Sequence, residues 1–150
     1  MKNLYPTYGL GEVDLLADPT ITAPDGSQWY PEPGFEPFDA TLAADETKRD
    51  LAQFFGRDCH FLWTGLAGTS TGLYSVQFVL PSGRLLSTAP VQSVNMIGTA
   101  QFPVPIWPPS KVPAGGKVGI NLLTDLTSAE NTVQILFAGV RLYSVRGPQQ

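Results

Sequence analysis

Tyr74-Ser75-Val76-Gln77-Phe78-Val79-Leu80-Pro81-Ser82-Gly83-Arg84-Leu85-Leu86-Ser87 decides the fold class. Tyr74, Val76, Phe78 and Leu80 alternate with Ser75 and Gln77. A period of two places the apolar set on one face of an extended strand. Pro81-Ser82-Gly83 supplies a turn, and residues 84–87 are expected to run back as a return strand. A strand with one apolar face, a tight turn and a return belong to an antiparallel sheet.

The same reading extends in both directions. Residues 59–66 alternate, with Phe61 and Trp63 on one face and His60, Leu62 and Thr64 on the other. Residues 117–123 alternate, with Val118, Ile120 and Leu122 inward. Residues 132–145 form the longest run, and both of its faces are apolar. Val133, Ile135 and Phe137 lie on one face, and Leu136, Ala138 and Val140 on the other. A strand of that kind is covered on both sides. One cover is the core; the other is expected to be a neighbouring subunit, which makes Leu136 and Val140 candidate interface residues. Residues 38–43, 91–97 and 101–106 are further strands, the last demoted to an edge or a bulge by Pro103 and Pro105. Residues 48–55 fit a strand or a short helix. Residues 108–116 read as one long turn.

Seven or eight short strands with few helix cues define an all-β, antiparallel sandwich of the jelly-roll kind, or a barrel. Composition agrees. The chain has 150 residues, with 15 glycines, 14 prolines and only 15% charged residues, against a usual charged share of about 25%. One domain suffices for this length.

Residues 1–37 read differently. Pro6, Pro19, Pro24, Pro31, Pro33 and Pro37 fall here. Proline fixes φ and removes a donor, so neither a long helix nor a central strand is expected. The stretch is assigned as an extended N-terminal arm before a sandwich domain at 38–150. It nevertheless carries Tyr5, Tyr8, Trp29, Tyr30 and Phe35. Aromatic residues are enriched as interface anchors, so these five, with Trp107 in a second Pro-rich stretch, are assigned to contacts with a neighbour.

Several functions are excluded by residue count. One cysteine and one histidine leave no disulfide and no Cys- or His-rich metal site. A net charge of −4 and a pI near 4.7 oppose a nucleic-acid partner, which requires a basic patch. No apolar run approaches the ~20 residues of a membrane helix. Cys59 and His60 are adjacent, so in a strand they point to opposite faces and cannot act as nucleophile and base. Asp45, Glu46, Asp50 and Asp58 are interleaved with Lys48, Arg49 and Arg57, the pattern of surface ion pairs rather than of two framed catalytic carboxylates. Asp25-Gly26-Ser27 offers too few oxygens for calcium. Trp29, Trp63 and Trp107 would suit a sugar-stacking platform if brought together, but Trp63 is in phase with Phe61 and is expected in the core. Pro103 to Pro109 has the form of a PxxP ligand, against which an edge protected by proline is the plainer reading. No catalytic residue, cofactor or small-molecule substrate is assigned.

Three stretches resemble the small jelly-roll decoration, or cement, proteins of tailed-bacteriophage capsids. They are Asp58-Cys59-His60-Phe61-Leu62-Trp63, the strand and turn from Val76 to Ser87, and Ile135-Leu136-Phe137-Ala138-Gly139-Val140-Arg141-Leu142-Tyr143. With the Val112-Pro113-Ala114-Gly115-Gly116 turn they span residues 38–147; the Pro-rich arm lies outside. The resemblance implies a non-enzymatic virion protein made in the host cytoplasm. It implies a homotrimer seated on the outside of the head, bound to the major capsid protein and stabilising the shell. A carbohydrate-binding module, or a tail or fibre component built on the same sandwich, is the alternative expectation.

Overall fold

A computed structural model of the chain describes residues 28–124 and 129–144, with side chains from Trp29 onward, and the backbone of three two-residue strands before them. Those three are β1 (Leu4–Tyr5), β2 (Val13–Asp14) and β3 (Ile21–Thr22). The larger elements are β4 (Gln28–Leu42), β5 (Thr47–Phe54), β6 (His60–Ser70), β7 (Tyr74–Val79), β8 (Val91–Gln92), the single-turn α1 (Ser93–Met96), β9 (Val104–Val112), β10 (Lys117–Thr124) and β11 (Asn131–Ser144). Among the described residues no helix is long and apolar enough to cross a membrane.

The larger strands pair antiparallel in a nested order: β4 with β11, β5 with β10, β6 with β9 and β7 with β8. From β4 to β7 and from β8 to β11 successive strands alternate between two sheets, one ordered β3-β4-β11-β6-β9 and the other β5-β10-β7-β8, with the neighbours β7 and β8 together in the second. One long antiparallel ribbon wrapped on itself in this way is a jelly-roll sandwich, so the all-β expectation holds.

The alternation read from sequence sets which face of each strand is inside. Tyr74, Val76 and Phe78 are buried, as are Val118, Ile120 and Leu122, and Val133, Ile135 and Phe137. At the centre the Trp63, Phe78 and Phe137 rings meet with centroids 5.1–5.7 Å apart, Phe78 edge-on to both others and Trp63 tilted against Phe137. Each such pair adds about 1 kcal/mol beyond area burial. The indole of Trp63 donates to the Gly65 carbonyl at 2.9 Å, so its one polar atom is satisfied inside.

The structure decides one open alternative and departs from the sequence reading at three places. Of the strand and helix readings of residues 48–55 it takes the strand, β5, which ends at Phe54. Residues 84–87 form no strand: after the turn there is only a single bridge, Val79 to Leu85, and the short β8 takes the place beside β7 instead. Residues 91–97 give two strand residues and then α1. The long turn at 108–116 shrinks to 113–116, because Pro108 and Pro109 lie within β9. β9 is the outer strand of its sheet, where a residue without an N–H costs no ladder bond.

The boundary at residue 37 falls inside β4, which pairs with β11 without interruption from Trp29 opposite Ser144 to Leu42 opposite Asn131. Pro31, Pro33 and Pro37 do not break it, for a reason of parity. All three are odd-numbered. In an antiparallel ladder alternate residues direct their N–H away from the partner, so these three missing donors all fall on the open side.

A docking face on the five-stranded sheet

The face of the five-stranded sheet turned away from the core can be built row by row. β4 presents Pro33, Phe35 and Pro37. Opposite them, β11 presents Val140, Ala138 and Leu136. β6 continues the register with Leu62, Gly65 and Ala67, but all three are buried, so the accessible rows are those of β4 and β11. No charged side chain interrupts these three rows. At one end the rows close with Asp39, which accepts from Gln134 at 2.8 Å. At the other end Trp29 lies against His60, with ring centroids 4.8 Å apart, and packs on the buried Leu142. Phe35 is 57% exposed; Leu136, Ala138 and Val140 are half-buried. β11 therefore has a core face and a second apolar face, as its sequence requires.

The edges of the sandwich are blocked against strand addition. On β4 the three prolines remove outward donors. Gly34 lets the Arg141 side chain cross over it, since a Cβ there would stand 2.8 Å from Arg141 Cγ. Arg141 Nη2 then donates to Glu36 Oε1 at 3.1 Å and to the Phe35 carbonyl at 3.4 Å. On β5 a bulge sets Arg49 and Asp50 against Asn121. Asp50 there takes a positive φ of 60°, and its N–H donates to Asn121 Oδ1 at 2.9 Å. β9 carries Pro105, Pro108 and Pro109, and β8 is two residues long. Charges, prolines, bulges and short edges are the devices that prevent edge-to-edge pairing. Partners are left with faces, not edges.

A second apolar feature stands at β9. Between Pro105 and Ser110 this strand carries four residues opposite the single Thr64 of β6. Trp107 lies in that bulge and is 70% exposed. Beside it, Leu80, Leu86, Met96, Ile106 and Pro108 line a groove of about 480 Å³. Leu85, Val94 and Phe102, which lie between β7 and β9 in the chain, are exposed as well.

The structure thus places Phe35, Leu136 and Val140 on one face with Trp29 at its end, and Trp107 at the far strand of the same sheet. Tyr30 is exposed at the Ser144 end of β4, on the opposite side parity from Phe35. Tyr5 is in β1, but its side chain, like all of Tyr8, lies outside the described residues, as does Asp25-Gly26-Ser27. Trp63 is in the core and Trp29 and Trp107 are strands apart, so the three tryptophans form no common platform.

The remaining chemistry is local. His60 Nδ1 accepts from the Ala114 N–H at 2.9 Å, which fixes the neutral tautomer protonated at Nε2. Partial burial, and then Lys111, push its pKa down. Burial and the neighbouring Asp58 carboxylate push the Cys59 thiol up, the reverse of what a nucleophile needs. Glu46 pairs with Lys48 at 3.6 Å on the surface. Among the described residues no three His, Cys, Asp or Glu side chains are grouped to hold a metal. Asn131, which the sequence reading passed over, is fully buried, and only the invariably costly burial of an amide without partners would have drawn attention to it. No protein-family model matches this chain, and no curated protein matches it.

Proposed function

We propose that this chain is a non-enzymatic virion structural protein, a homotrimeric decoration protein that binds the outside of a phage capsid and stabilises the shell. The observation that carries the proposal is the uncharged outer face of the five-stranded sheet, from Pro33, Phe35 and Pro37 of β4 across Leu136, Ala138 and Val140 of β11. A contiguous apolar face on a soluble fold marks an interaction surface. The blocked edges support a partner that meets side chains rather than one that extends a sheet. Three copies on one shell site act together, so each contact need only be weak. The resemblance of the three sequence stretches to cement proteins supplies the identity of the partner, the major capsid protein.

The test is addition of purified protein to undecorated heads, followed by sedimentation. The wild-type chain is expected to co-sediment and to raise the temperature at which heads release DNA. Leu136→Asp and Val140→Asp place a carboxylate on the face; Leu136 lies outside both buried clusters, whereas Val140 also packs on the buried Leu142. Each is expected to abolish co-sedimentation with an unchanged circular dichroism spectrum. Binding that survives both substitutions overturns the assignment of this face.

A further inference from the structure

We propose a second binding site, a cleft on the outer face of the four-stranded sheet that takes a short, neutral saccharide. Its floor is β10, where Lys117, Gly119 and Asn121 alternate with the buried Val118, Ile120 and Leu122 and so face outward. Gly119 lies opposite Ala52 of β5 on one side and Val79 of β7 on the other. Being glycine, it raises no side chain from the middle of the floor. Pro81 and Gly83 of one turn and Pro113 and Gly116 of another line one end. The cleft measures about 450 Å³, within the range of small-ligand sites, about 300–1,000 Å³.

The bonding of Asp50 and Asn121 shows what the cleft offers. Asn121 Oδ1 accepts from the Asp50 N–H at 2.9 Å, which sets the amide's orientation and leaves Nδ2 as a donor. Among the described residues neither Nδ2 nor the Asp50 carboxylate has a hydrogen-bond partner. Lys117, which also lines the cleft, is in neither ion pair of the described residues. Its ammonium stands 5.9 Å from the centroid of the Phe54 ring.

These groups define the ligand's chemistry. The Asp50 carboxylate only accepts, and Asn121 Nδ2 only donates. A hydroxyl does both, so a ligand with neighbouring hydroxyls satisfies the two side by side. One carboxylate and one ammonium balance in charge. A charged ligand is repelled by one of them, whereas a neutral one is bonded by both. Ala52, Val79 and Pro81 add an apolar wall, suited to the C–H face of a sugar ring. An apolar lining with a few convergent polar groups is the usual make-up of a ligand site. The cleft rests on its own residues and not on the capsid reading. The two are compatible, because the shell-docking face belongs to the other sheet, and a chain seated through that face presents the cleft to the medium.

The test uses the full chain, uniformly isotope-labelled and without heads. Maltose, cellobiose, lactose and N,N′-diacetylchitobiose are titrated in turn while amide spectra are recorded. At least one is expected to shift the signals of Asp50, Ala52, Gly119 and Asn121 saturably and to leave those of Phe35, Leu136 and Val140 in place. Asp50→Asn keeps the positive-φ backbone, which asparagine tolerates, and replaces the carboxylate by an uncharged amide. It is expected to weaken that binding at least ~10-fold, as loss of a hydrogen bond to a charged group does. Ala52→Phe fills the cleft from a strand position that suits an aromatic residue, and is expected to abolish binding. No saturable shift with any of the sugars overturns the proposal. So does binding that both variants retain, and so do shifts confined to the Trp107 groove. Head binding is read in a separate assay, so its loss or survival leaves this outcome distinct.

Discussion

Asn131 clasps Gly72 from both sides. Its Oδ1 accepts from the Gly72 N–H at 3.0 Å, and its Nδ2 donates to the Gly72 carbonyl at 3.0 Å and to the Leu73 carbonyl at 3.2 Å. One buried amide at the start of β11 thereby holds the turn between β6 and β7. The next residue continues the join: Thr132 N–H donates to Thr71 Oγ1 at 3.0 Å.

Asn131→Leu keeps the branching and number of side-chain heavy atoms and removes every one of these bonds. Each buried polar group left without a partner costs about 1–3 kcal/mol. A loss of about 3 kcal/mol or more in urea unfolding is expected. Asn131→Asp is expected to be destabilising too, because it sets a carboxylate against two carbonyl oxygens. Stability within about 0.5 kcal/mol of wild type in either variant would refute the clasp.

Gly139 is required by a close approach. A Cβ there would meet the Leu62 carbonyl oxygen and stand 2.9 Å from Phe61 Cζ, and both are fixed in the sheet and core. Gly139→Ala is expected to cost about 3 kcal/mol, the upper range for overpacking. Gly83 has open space around it but a φ of 87°. Gly83→Ala is expected to cost only about 1 kcal/mol of left-handed strain. Thermal melts that reverse this order would contradict the packing.

The single histidine gives a pH dependence of known sign. The folded pKa of His60 lies below its ordinary value of 6.5, since partial burial disfavours the charged ring and Lys111 then repels it. In the window between the two pKa values the unfolded chain binds the extra proton. The stability due to neutral His60 is therefore complete above pH 6.5 and is lost as pH falls through the folded pKa. His60→Gln is expected to flatten this acid limb of the stability curve. An unchanged limb would assign it to the carboxylates.

Trp63 is expected to report the core. In the Trp29→Phe, Trp107→Phe double variant it is the sole indole, and its emission should be blue and unquenched by iodide. Emission near that of free indole would mean that the alternation read through residues 59–66 is in the wrong phase.

Truncation distinguishes the arm from the sheet. Removing residues 2–20 leaves β4 whole, so a soluble β-rich protein is expected; loss of head binding in that variant would assign Tyr5 and Tyr8 to the shell contact. Removing residues 2–37 strips β11 of its partner from Trp29 to Pro37 and exposes a long apolar edge. Aggregation is expected, read as loss of soluble yield. A folded product would contradict the pairing of β4.

The fold class was legible because alternation is a local property. Tyr74, Val76 and Phe78 take their side of β7 from the pleat alone, and the two apolar faces of residues 132–145 follow from the same period. The jelly-roll order was not legible, since it depends on pairings between residues far apart, such as Leu42 with Asn131. The proline rule misjudged residues 28–37 for the same reason. A proline's cost in a strand depends on which way its missing N–H would point, and only the partner strand decides that. Composition determined what this chain has too few residues to build: a disulfide, a thiol–imidazole pair or a histidine metal site. Only the tertiary structure brought Phe35, Leu136 and Val140 onto one face and sent Trp107 to the far side of the same sheet. A strand's sequence gives the side of the sheet on which a residue lies, whereas its neighbours across the sheet follow from long-range register.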